Sequence, residues 1–302
     1  MDLIALETYC RAVEAGNLTR AAQMLHVTKS VVSRRLAALE EDLEVRLLTR
    51  TTRGVTPTDE GQQFYERAVR ILDDVEDARQ SLNTADGPLV GRLRLTAPQS
   101  FTDLCLGEAL CRFMDENPKL KMDIDLKDER VDIVGAGYDV GLRIATELHD
   151  TSLIARKIAP ISFVTVASPA YLKQHGVPVT PQDFATNHRA VFYANKTVQN
   201  EWSFMVAGRE ETVRPDGFLV TNSGKLQASA AINGLGVARL PRFFVADALT
   251  DGRLTEILSD SRPGDGALYA MFPERRHLPA KVRRLIDFLI NWFADPSHRQ
   301  GL

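Results

Sequence analysis

The 302-residue sequence has no apolar run long enough to span a bilayer, and its start, MDLIALETYC, lacks the apolar core of a signal peptide. We therefore expect a cytoplasmic protein with neither a leader nor a membrane anchor. Cysteine is scarce, occurring only at 10, 105 and 111. Cys105 and Cys111 are six residues apart on a predicted helix, so their side chains point to different sides. Buried, reduced cysteines are therefore expected rather than disulfide bonds.

Common catalytic and metal-binding motifs are also missing. The sequence contains no P-loop, no Gly-x-Ser-x-Gly motif and no cysteine–histidine spacing typical of a metal site. Its six histidines are scattered and its carboxylates are unpaired. We therefore predict no catalytic residues, no metal and no cofactor.

Positive net charge is missing as well. The formal net charge is −3, which argues against non-specific coating of nucleic acid. Any binding to DNA must therefore come from a local basic surface. The length suits two or three domains.

The N-terminal residues predict three short helices. Asp2, Asn17 and Thr28 are placed to cap them, and Gly16 ends the first. The third helix buries an apolar stripe of Val32, Leu36 and Leu39. Its other face carries the polar and basic residues Lys29, Ser30, Ser33, Arg34 and Arg35. Acids follow only from Glu40 onward.

A basic hairpin follows this third helix. Arg46, Arg50 and Arg53 occur in it without an intervening acid. A helix with a basic N-terminal half followed by a basic hairpin is typical of a winged helix-turn-helix that binds DNA. The alternative is a solvated face of an ordinary helical domain.

A long helix is predicted from Asp59 to Asn83, with Thr58 as its cap. Its apolar residues alternate spacings of four and three: Phe64, Ala68, Ile71, Val75, Ala78 and Leu82. This stripe predicts a coiled-coil dimer. The alternative is a helix that packs on its own domain. The residues 86–88, Asp-Gly-Pro, then mark a linker.

From Leu89 onward, short apolar segments predict strands. These segments are LRLTAP, MDIDL, VDIVG, VGLRIA, FVTVAS, FLVTN and GVARLP. Predicted helices alternate with them at 101–116, 169–175, 225–233, 241–250 and 279–294. The pattern indicates an α/β domain with largely parallel sheets, and polar residues after several strands indicate a ligand site at their carboxyl ends.

The N-terminal segment resembles the DNA-binding domain of the LysR-type transcriptional regulators. The matching residues are Ala21, Ala22, Leu25, Val27, Thr28, Val32, Ser33, Arg34, Leu39, Glu40, Leu43, Arg46, Leu47, Arg50, Arg53, Thr58 and Gly61. The resemblance implies that the third helix reads the major groove and that the wing, with Arg53, reaches the minor groove. The predicted DNA-binding residues are Thr28, Lys29, Ser30, Ser33, Arg34, Arg35, Arg50 and Arg53.

This chain departs from the family pattern at three places. Lys29 and Ser30 stand where the family usually has Gln-Pro, and Leu48 replaces a usual Phe. Glu44 stands where the family usually has Gly. A left-handed backbone at Glu44 would cost roughly 1–2 kcal/mol.

The rest of the chain resembles the LysR-type effector domain, which is similar to periplasmic binding proteins. The matching segments include residues 97–98, 137–143, 167–172, 222–224, 234–237 and 240–241. The resemblance implies two subdomains with a small-molecule cleft between them. The predicted effector-binding residues are Gln99, Ser100, Phe101, Arg143, Thr146, Asn195, Asn222 and Ser223.

The predicted organisation is a DNA-binding domain at 1–58, a dimerisation helix at 59–87 and an effector domain at 88–302. Subdomain I of the effector domain comprises 88–160 and 267–302, and subdomain II comprises 161–266. We expect a regulator that binds a dyad-symmetric operator in double-stranded DNA, as a dimer or a dimer of dimers, and senses an anionic metabolite. RNA polymerase is a further candidate partner. The competing classes are a solute-binding receptor and an enzyme with an accessory DNA-binding domain.

Overall fold

The computed structural model describes residues 1–51, 54–81, 87–129, 131–146, 152–194, 201–262, 265–274, 278–299 and 301–302. The chain divides into two compact units, Met1–Gly91 and Arg92–Leu302. No helix within these described ranges is both long and apolar enough to cross a membrane.

The first unit consists of helices followed by a hairpin and a long helix. Its elements are α1 (Leu3–Ala15), α2 (Leu18–Met24), α3 (Lys29–Asp42), β1 (Leu48–Thr51), β2 (Gly54–Pro57) and α4 (Asp59–Ser81). The predicted caps are confirmed at Asp2, whose carboxylate accepts from the Ala5 N–H at 2.7 Å, and at Asn17, which accepts from Thr19. Gly16 ends α1 in the left-handed conformation with φ +61°.

The core of this unit joins α1, α2, α3 and the hairpin. Tyr9 has no exposed surface, and its hydroxyl donates to the Gly61 carbonyl at 2.8 Å. A Cβ atom at Gly61 would lie 2.0 Å from the Leu47 carbonyl oxygen, so this close approach requires glycine. The start of α4 is therefore fixed against α1 and the base of the hairpin.

The second unit contains two five-stranded sheets. The first has the order β4-β3-β5-β14-β6. Its strands are β3 (Gly91–Ala97), β4 (Leu120–Leu126), β5 (Val140–Ala145), β6 (Leu153–Ile161) and β14 (Gly266–Pro273), and its helices are α5 (Gln99–Phe101), α6 (Gly107–Glu116) and α11 (Ala280–Ala294). A π-helical turn at Thr102–Leu106 joins α5 to α6.

The second sheet has the order β11-β8-β12-β7-β13. Its strands are β7 (Phe163–Ala167), β8 (Arg189–Tyr193), β11 (Asp216–Thr221), β12 (Val237–Pro241) and β13 (Thr255–Glu256). It is accompanied by a separate hairpin of β9 (Trp202–Val206) and β10 (Arg209–Val213), and by α7 (Pro169–His175), α8 (Pro181–Asn187), α9 (Gly224–Ile232) and α10 (Ala246–Thr250).

The chain passes from the first sheet to the second between β6 and β7 and returns at β14. The predicted α/β fold class is confirmed, but the expectation of largely parallel sheets is wrong. Three pairs of strands are parallel: β3 with β5, β8 with β11 and β8 with β12. By contrast, β14 and β7 run antiparallel to their neighbours. These antiparallel strands are the ones that follow the two crossings.

The segment VDIVG, predicted as a strand, forms turns instead. Asp132 accepts hydrogen bonds from Gly135 through its side chain and from Ala136 through its carbonyl. Ile133 alone is buried there. A local aspartate turn therefore outcompetes the strand that the apolar residues favour.

Candidate nucleic-acid interface and ligand cleft

The third helix separates a buried face from a polar one. Val32, Leu36 and Leu39 are buried, while Lys29, Ser30 and Arg34 are exposed and Ser33 is half-buried. Thr28 occupies the N-cap position but makes no capping hydrogen bond, since its hydroxyl lies 2.9 Å from that of Ser30. The N-terminal end of α3 therefore presents hydroxyl and cationic groups to solvent.

Arg35 differs from the other predicted DNA-binding residues on α3. Its Nη1 atom donates to the Thr8 hydroxyl at 3.4 Å, so its side chain extends toward α1. We therefore separate Arg35 from the exposed set that begins at Lys29, because its guanidinium lies on the flank of the helix.

Two tight turns position this helix. His26 and Glu44 both have left-handed backbones, with φ of +53° and +54°. At each, the next residue donates to the carbonyl five positions back, Val27 to Ala22 and Val45 to Glu40. These are Schellman endings of α2 and α3, in which glycine is the usual residue. The suspected left-handed backbone at Glu44 is therefore confirmed.

The hairpin that forms the wing lies against the end of α1. The Val55 N–H donates to the Gly16 carbonyl at 2.9 Å, and a Cβ at Gly54 would lie 2.3 Å from the same oxygen. The tip residues Thr52 and Arg53 lie outside the described residues, as does the side chain of Arg50.

The residues of the stripe on α4 lie in two different environments. Ala68 is only 1% exposed and packs with Leu6 and Cys10 of α1, and Phe64 packs against the same cluster. Ala68 is therefore covered by its own domain, whereas Phe64 is covered only in part.

The later part of the stripe is more open. Ile71 is 41% exposed, Val75 is half-buried and Ala78 is exposed. Leu82 lies outside the described residues. Among the described residues of the stripe, Ile71 and Ala78 are exposed and accessible to a partner.

In the second unit, Ser100 lies where β3 gives way to a helix. Its hydroxyl donates to the Asp128 carboxylate at 3.1 Å, while the neighbouring Gln99 is exposed. The single O–H donor of Ser100 is thus engaged by an acid that follows β4.

Arg143, on β5, lies near Asp128, the acid that binds Ser100. Its guanidinium donates to the Leu142 carbonyl at 2.8 Å and to the Thr96 hydroxyl at 3.2 Å. Burial lowers its pKa, while Tyr138, Asp128 and Asp125 raise it electrostatically. The ion pairs found in the described part of the chain do not include Arg143.

Asp139, which directly precedes β5, is engaged by groups other than Arg143. The Asp139 carboxylate accepts instead from the Arg94 backbone N–H at 2.8 Å and lies 3.9 Å from the Lys281 ammonium. Asp125 is likewise engaged, by Lys127 at 2.7 Å and by the Tyr138 hydroxyl.

Residues of the second sheet approach this region at the start of α9. Ser223 caps α9 by accepting from the Leu226 N–H at 3.2 Å, and the preceding Asn222 is exposed. Lys225 forms an ion pair at 3.5 Å with Asp103, in the turn just after Ser100. The two predicted halves of the cleft are therefore brought to the same region.

The remaining predicted effector residues have different surroundings. The Phe101 ring has no exposed surface and packs edge-on against Phe243 with ring centroids 5.3 Å apart. Thr146 is exposed at the end of a described segment, and Asn195 lies outside the described residues.

Sequence reasoning missed Asp128 and Thr96. Asp128 follows β4, so the rule that drew attention to polar residues after strands applies to it equally. Thr96 is fully buried within β3, and no sequence signal distinguishes it from a core residue. Among the described residues, histidine, cysteine and acidic side chains form no group of three or more that could hold a metal ion.

Comparisons with known proteins match both units. Residues 3–62 match the model of the bacterial regulatory helix-turn-helix protein, lysR family, and residues 86–294 match the LysR substrate binding domain. An uncharacterised HTH-type transcriptional regulator of Haemophilus influenzae is 34% identical over 280 residues, covering 93% of this chain and 96% of the relative.

Two further relatives extend this likeness. The HTH-type transcriptional regulator PtxR of Pseudomonas aeruginosa is 32% identical over 291 residues, covering 96% of this chain and 92% of its own length. The solved structure of CrgA, a LysR-type transcriptional regulator from Neisseria meningitidis, covers 98% of this chain and all of its own with a TM-score of 0.59 and 26% identity.

The resemblance and the prediction of a non-enzymatic protein are both confirmed by these matches. The exposed polar end of α3, the wing and the ligand-binding architecture of the second unit agree with them. The chain belongs to the LysR family of transcriptional regulators, which bind DNA and carry an effector-binding domain.

Proposed function

We propose that this regulator senses a small anionic metabolite in the cleft of its second unit and changes its binding to a dyad-symmetric DNA site accordingly. DNA is read by α3, with Lys29, Ser30, Ser33 and Arg34 as its contacts. Because its DNA partner is chromosomal, we place the protein in the cytoplasm.

The effector assignment rests on the environment of the Arg143 guanidinium. This guanidinium is half-buried and is hydrogen-bonded only to a carbonyl and a hydroxyl in the described structure. Two of its five N–H groups are used in this way, which leaves donors for a bidentate carboxylate or phosphate. A charged group of this kind beside a strand end is a candidate ligand anchor.

Ser100 has a different part in this proposal. Because its proton goes to Asp128, its oxygen presents lone pairs to the cleft. A ligand carrying an N–H or O–H group near its anionic end fits this arrangement best. Asn222, at the start of α9, supplies amide groups from the opposite side.

The oligomer we propose is a dimer joined through α4 from Ile71 onward, with pairs of dimers on the operator. Two copies of α3 then address two half-sites, as the symmetry of a dyad site requires. RNA polymerase is the proposed partner at target promoters.

The test begins with a thermal-shift screen of small carboxylates and phosphates, followed by titration calorimetry of the compounds that stabilise the parent. Arg143→Ala should lower the affinity for the ligand most, by about tenfold or more, because a charge-assisted pair is lost. Ser100→Ala should weaken it less. Both variants should bind DNA like the parent when no ligand is present.

Arg156→Ala is a matched control, because Arg156 lies on β6 of the same sheet, pairs with Asp287 of α11 at 2.8 Å and is not one of the proposed contacts. Ligand affinity equal to that of the parent in both Arg143→Ala and Ser100→Ala would place the pocket elsewhere.

A further inference from the structure

We propose that Glu40 is a positioning residue that sets the wing relative to the recognition helix α3. Its Oε1 atom accepts hydrogen bonds from the backbone N–H groups of Leu47 at 2.8 Å and Leu48 at 3.0 Å. Leu48 is the first residue of β1, so an acid near the end of α3 holds the start of the wing.

The backbone of Glu40 takes part in the same connection. Its carbonyl accepts from the Val45 N–H at 3.1 Å, which completes the left-handed turn at Glu44. One residue thus receives three backbone N–H groups from the segment that joins α3 to the wing. Because the side chains of Leu47 and Leu48 are buried, this segment is held on both sides.

The base of the wing is also tied to the long helix α4. The Thr58 hydroxyl donates to the Arg46 carbonyl at 2.9 Å, and the Thr58 N–H donates to the Leu47 carbonyl at 3.0 Å. Residues 46–48 therefore lie between two anchors, Glu40 on α3 and Thr58 at the start of α4.

Loss of the Glu40 carboxylate would remove the first anchor while leaving the polar face of α3 unchanged. The freed N–H groups no longer fix the direction in which β1 leaves the core. The wing carries Arg50 and Arg53, so the effect on DNA should appear in wing contacts and spare the base preference of α3. This inference rests on the proposed DNA contacts of α3 and the wing.

A double-mutant cycle on the full-length protein separates this role from simple destabilisation. The probe is a DNA duplex that the parent selects from a random pool. Glu40→Ala should lower affinity about tenfold. In a background of Arg50→Ala with Arg53→Ala, the same change should lower it less than about twofold, because the wing contacts are already absent.

Two controls accompany the cycle. Glu41→Ala removes the same charge from a neighbouring exposed position, and it should not weaken binding. Glu40→Gln keeps an acceptor oxygen and should retain affinity within about threefold of the parent, since neutral hydrogen bonds are weaker but present. If Glu40→Ala does not fold, Glu40→Asp replaces it, because its carboxylate is one methylene too short to reach both N–H groups.

Each outcome decides between the explanations. Equal losses from Glu40→Ala in the parent and wing-deficient backgrounds would overturn the positioning role, as would an unchanged affinity in the parent background. If the wing-deficient protein binds DNA like the parent, the wing assignment itself fails, which is a distinct result from failure of Glu40 alone.

Discussion

The guanidinium of Arg35 lies 3.4 Å from the hydroxyl of Thr8 on α1, whereas its neighbour Arg34 is exposed to solvent. Two consecutive arginines therefore have different surroundings on the same helix. The contrast supplies a matched pair of variants for testing DNA recognition.

Arg34→Ala should lower specific DNA affinity by roughly 1–3 kcal/mol and relax the preference at one half-site position. Arg35→Ala should lower it less, because the Arg35 side chain is directed to α1. Binding measured against specific and scrambled duplexes at fixed salt would check this. Equal specificity losses in the two variants would contradict different roles for Arg34 and Arg35.

Lys29 should favour guanine at the base it contacts, because an ammonium donates to guanine O6 and N7, whereas the usual family glutamine pairs with adenine. Selection from a random DNA pool with the parent and with Lys29→Gln would reveal the preference. If both proteins select the same half-site, Lys29 contacts only phosphate.

Glu44→Gly should stabilise the first unit by roughly 1–2 kcal/mol, since φ of +54° is strained for a residue with a Cβ atom. Urea unfolding would measure the change. Glu44→Ala is the control, because it removes the charge and keeps the Cβ. A gain of the same size in Glu44→Ala would attribute the effect to charge rather than backbone strain.

Ile71→Asp combined with Val75→Asp should separate the dimer, because it places like charges at the seam between two copies of α4. The protein should remain folded, since Ile71 is 41% exposed. Ala68→Asp should unfold the first unit instead, because the Ala68 side chain of α4 is buried against α1. Sedimentation and circular dichroism would distinguish these results, and a double variant that sediments like the parent would exclude the seam.

His188 should make the second unit sensitive to acid. The His188 side chain is 5% exposed and packs near the rings of Tyr171 and Phe184. Burial is the largest cause that lowers its pKa below the ordinary 6.5, and the charge of His175 lowers it further. The nearby Asp183 carboxylate has the opposite effect. Below pH 6.5 the unfolded chain takes up a proton before the folded chain does. The stability contributed by neutral His188 is therefore present above pH 6.5 and is lost as the pH falls through the folded pKa.

His188→Phe, which keeps an aromatic ring in this stack, should reduce the fall in melting temperature between pH 7.5 and pH 5. This range extends roughly one unit above and more than one unit below the ordinary histidine pKa of about 6.5. His26→Asn in the first unit should leave that fall unchanged. An unaltered pH profile in His188→Phe would assign the acid sensitivity to other groups.

Local signals explain which parts of the fold were predictable. The N-terminal boundaries of α1 and α2, at Asp2 and Asn17, and the end of α1 at Gly16 depend on neighbouring backbone groups. Sequence patterns therefore reveal them. A comparable signal at α8 was overlooked: Thr180 and Asp183 form a capping box beside Pro181. The strands β6 and β14 were missed because their pairing joins segments more than 100 residues apart.

The sites were predictable in outline for a similar reason. Polar residues at the ends of predicted strands identified Ser100 and Arg143, and the same rule applies to Asp128, but tertiary packing decides that Asp128 and Thr96 are their hydrogen-bond partners. The division of the α4 stripe also depends on packing, because the same spacing includes both Ala68, which is buried against α1, and Ile71, which is exposed. Periodicity indicates that a face is apolar, and only the fold determines what covers it.

The position of β14 has a consequence for how the chain is made. β14 lies between β5 and β6, and the residues of the second sheet, from β7 to β13, all precede it in the sequence. On the ribosome, the sheet that begins later is therefore completed first. In the first sheet, β6 lacks its neighbour until β14 has been synthesised more than 100 residues later, a delay of seconds at ordinary rates of synthesis. A nascent chain that stalls before Gly266 would expose the unpaired edges of β5 and β6, which are sites for aggregation or chaperone capture.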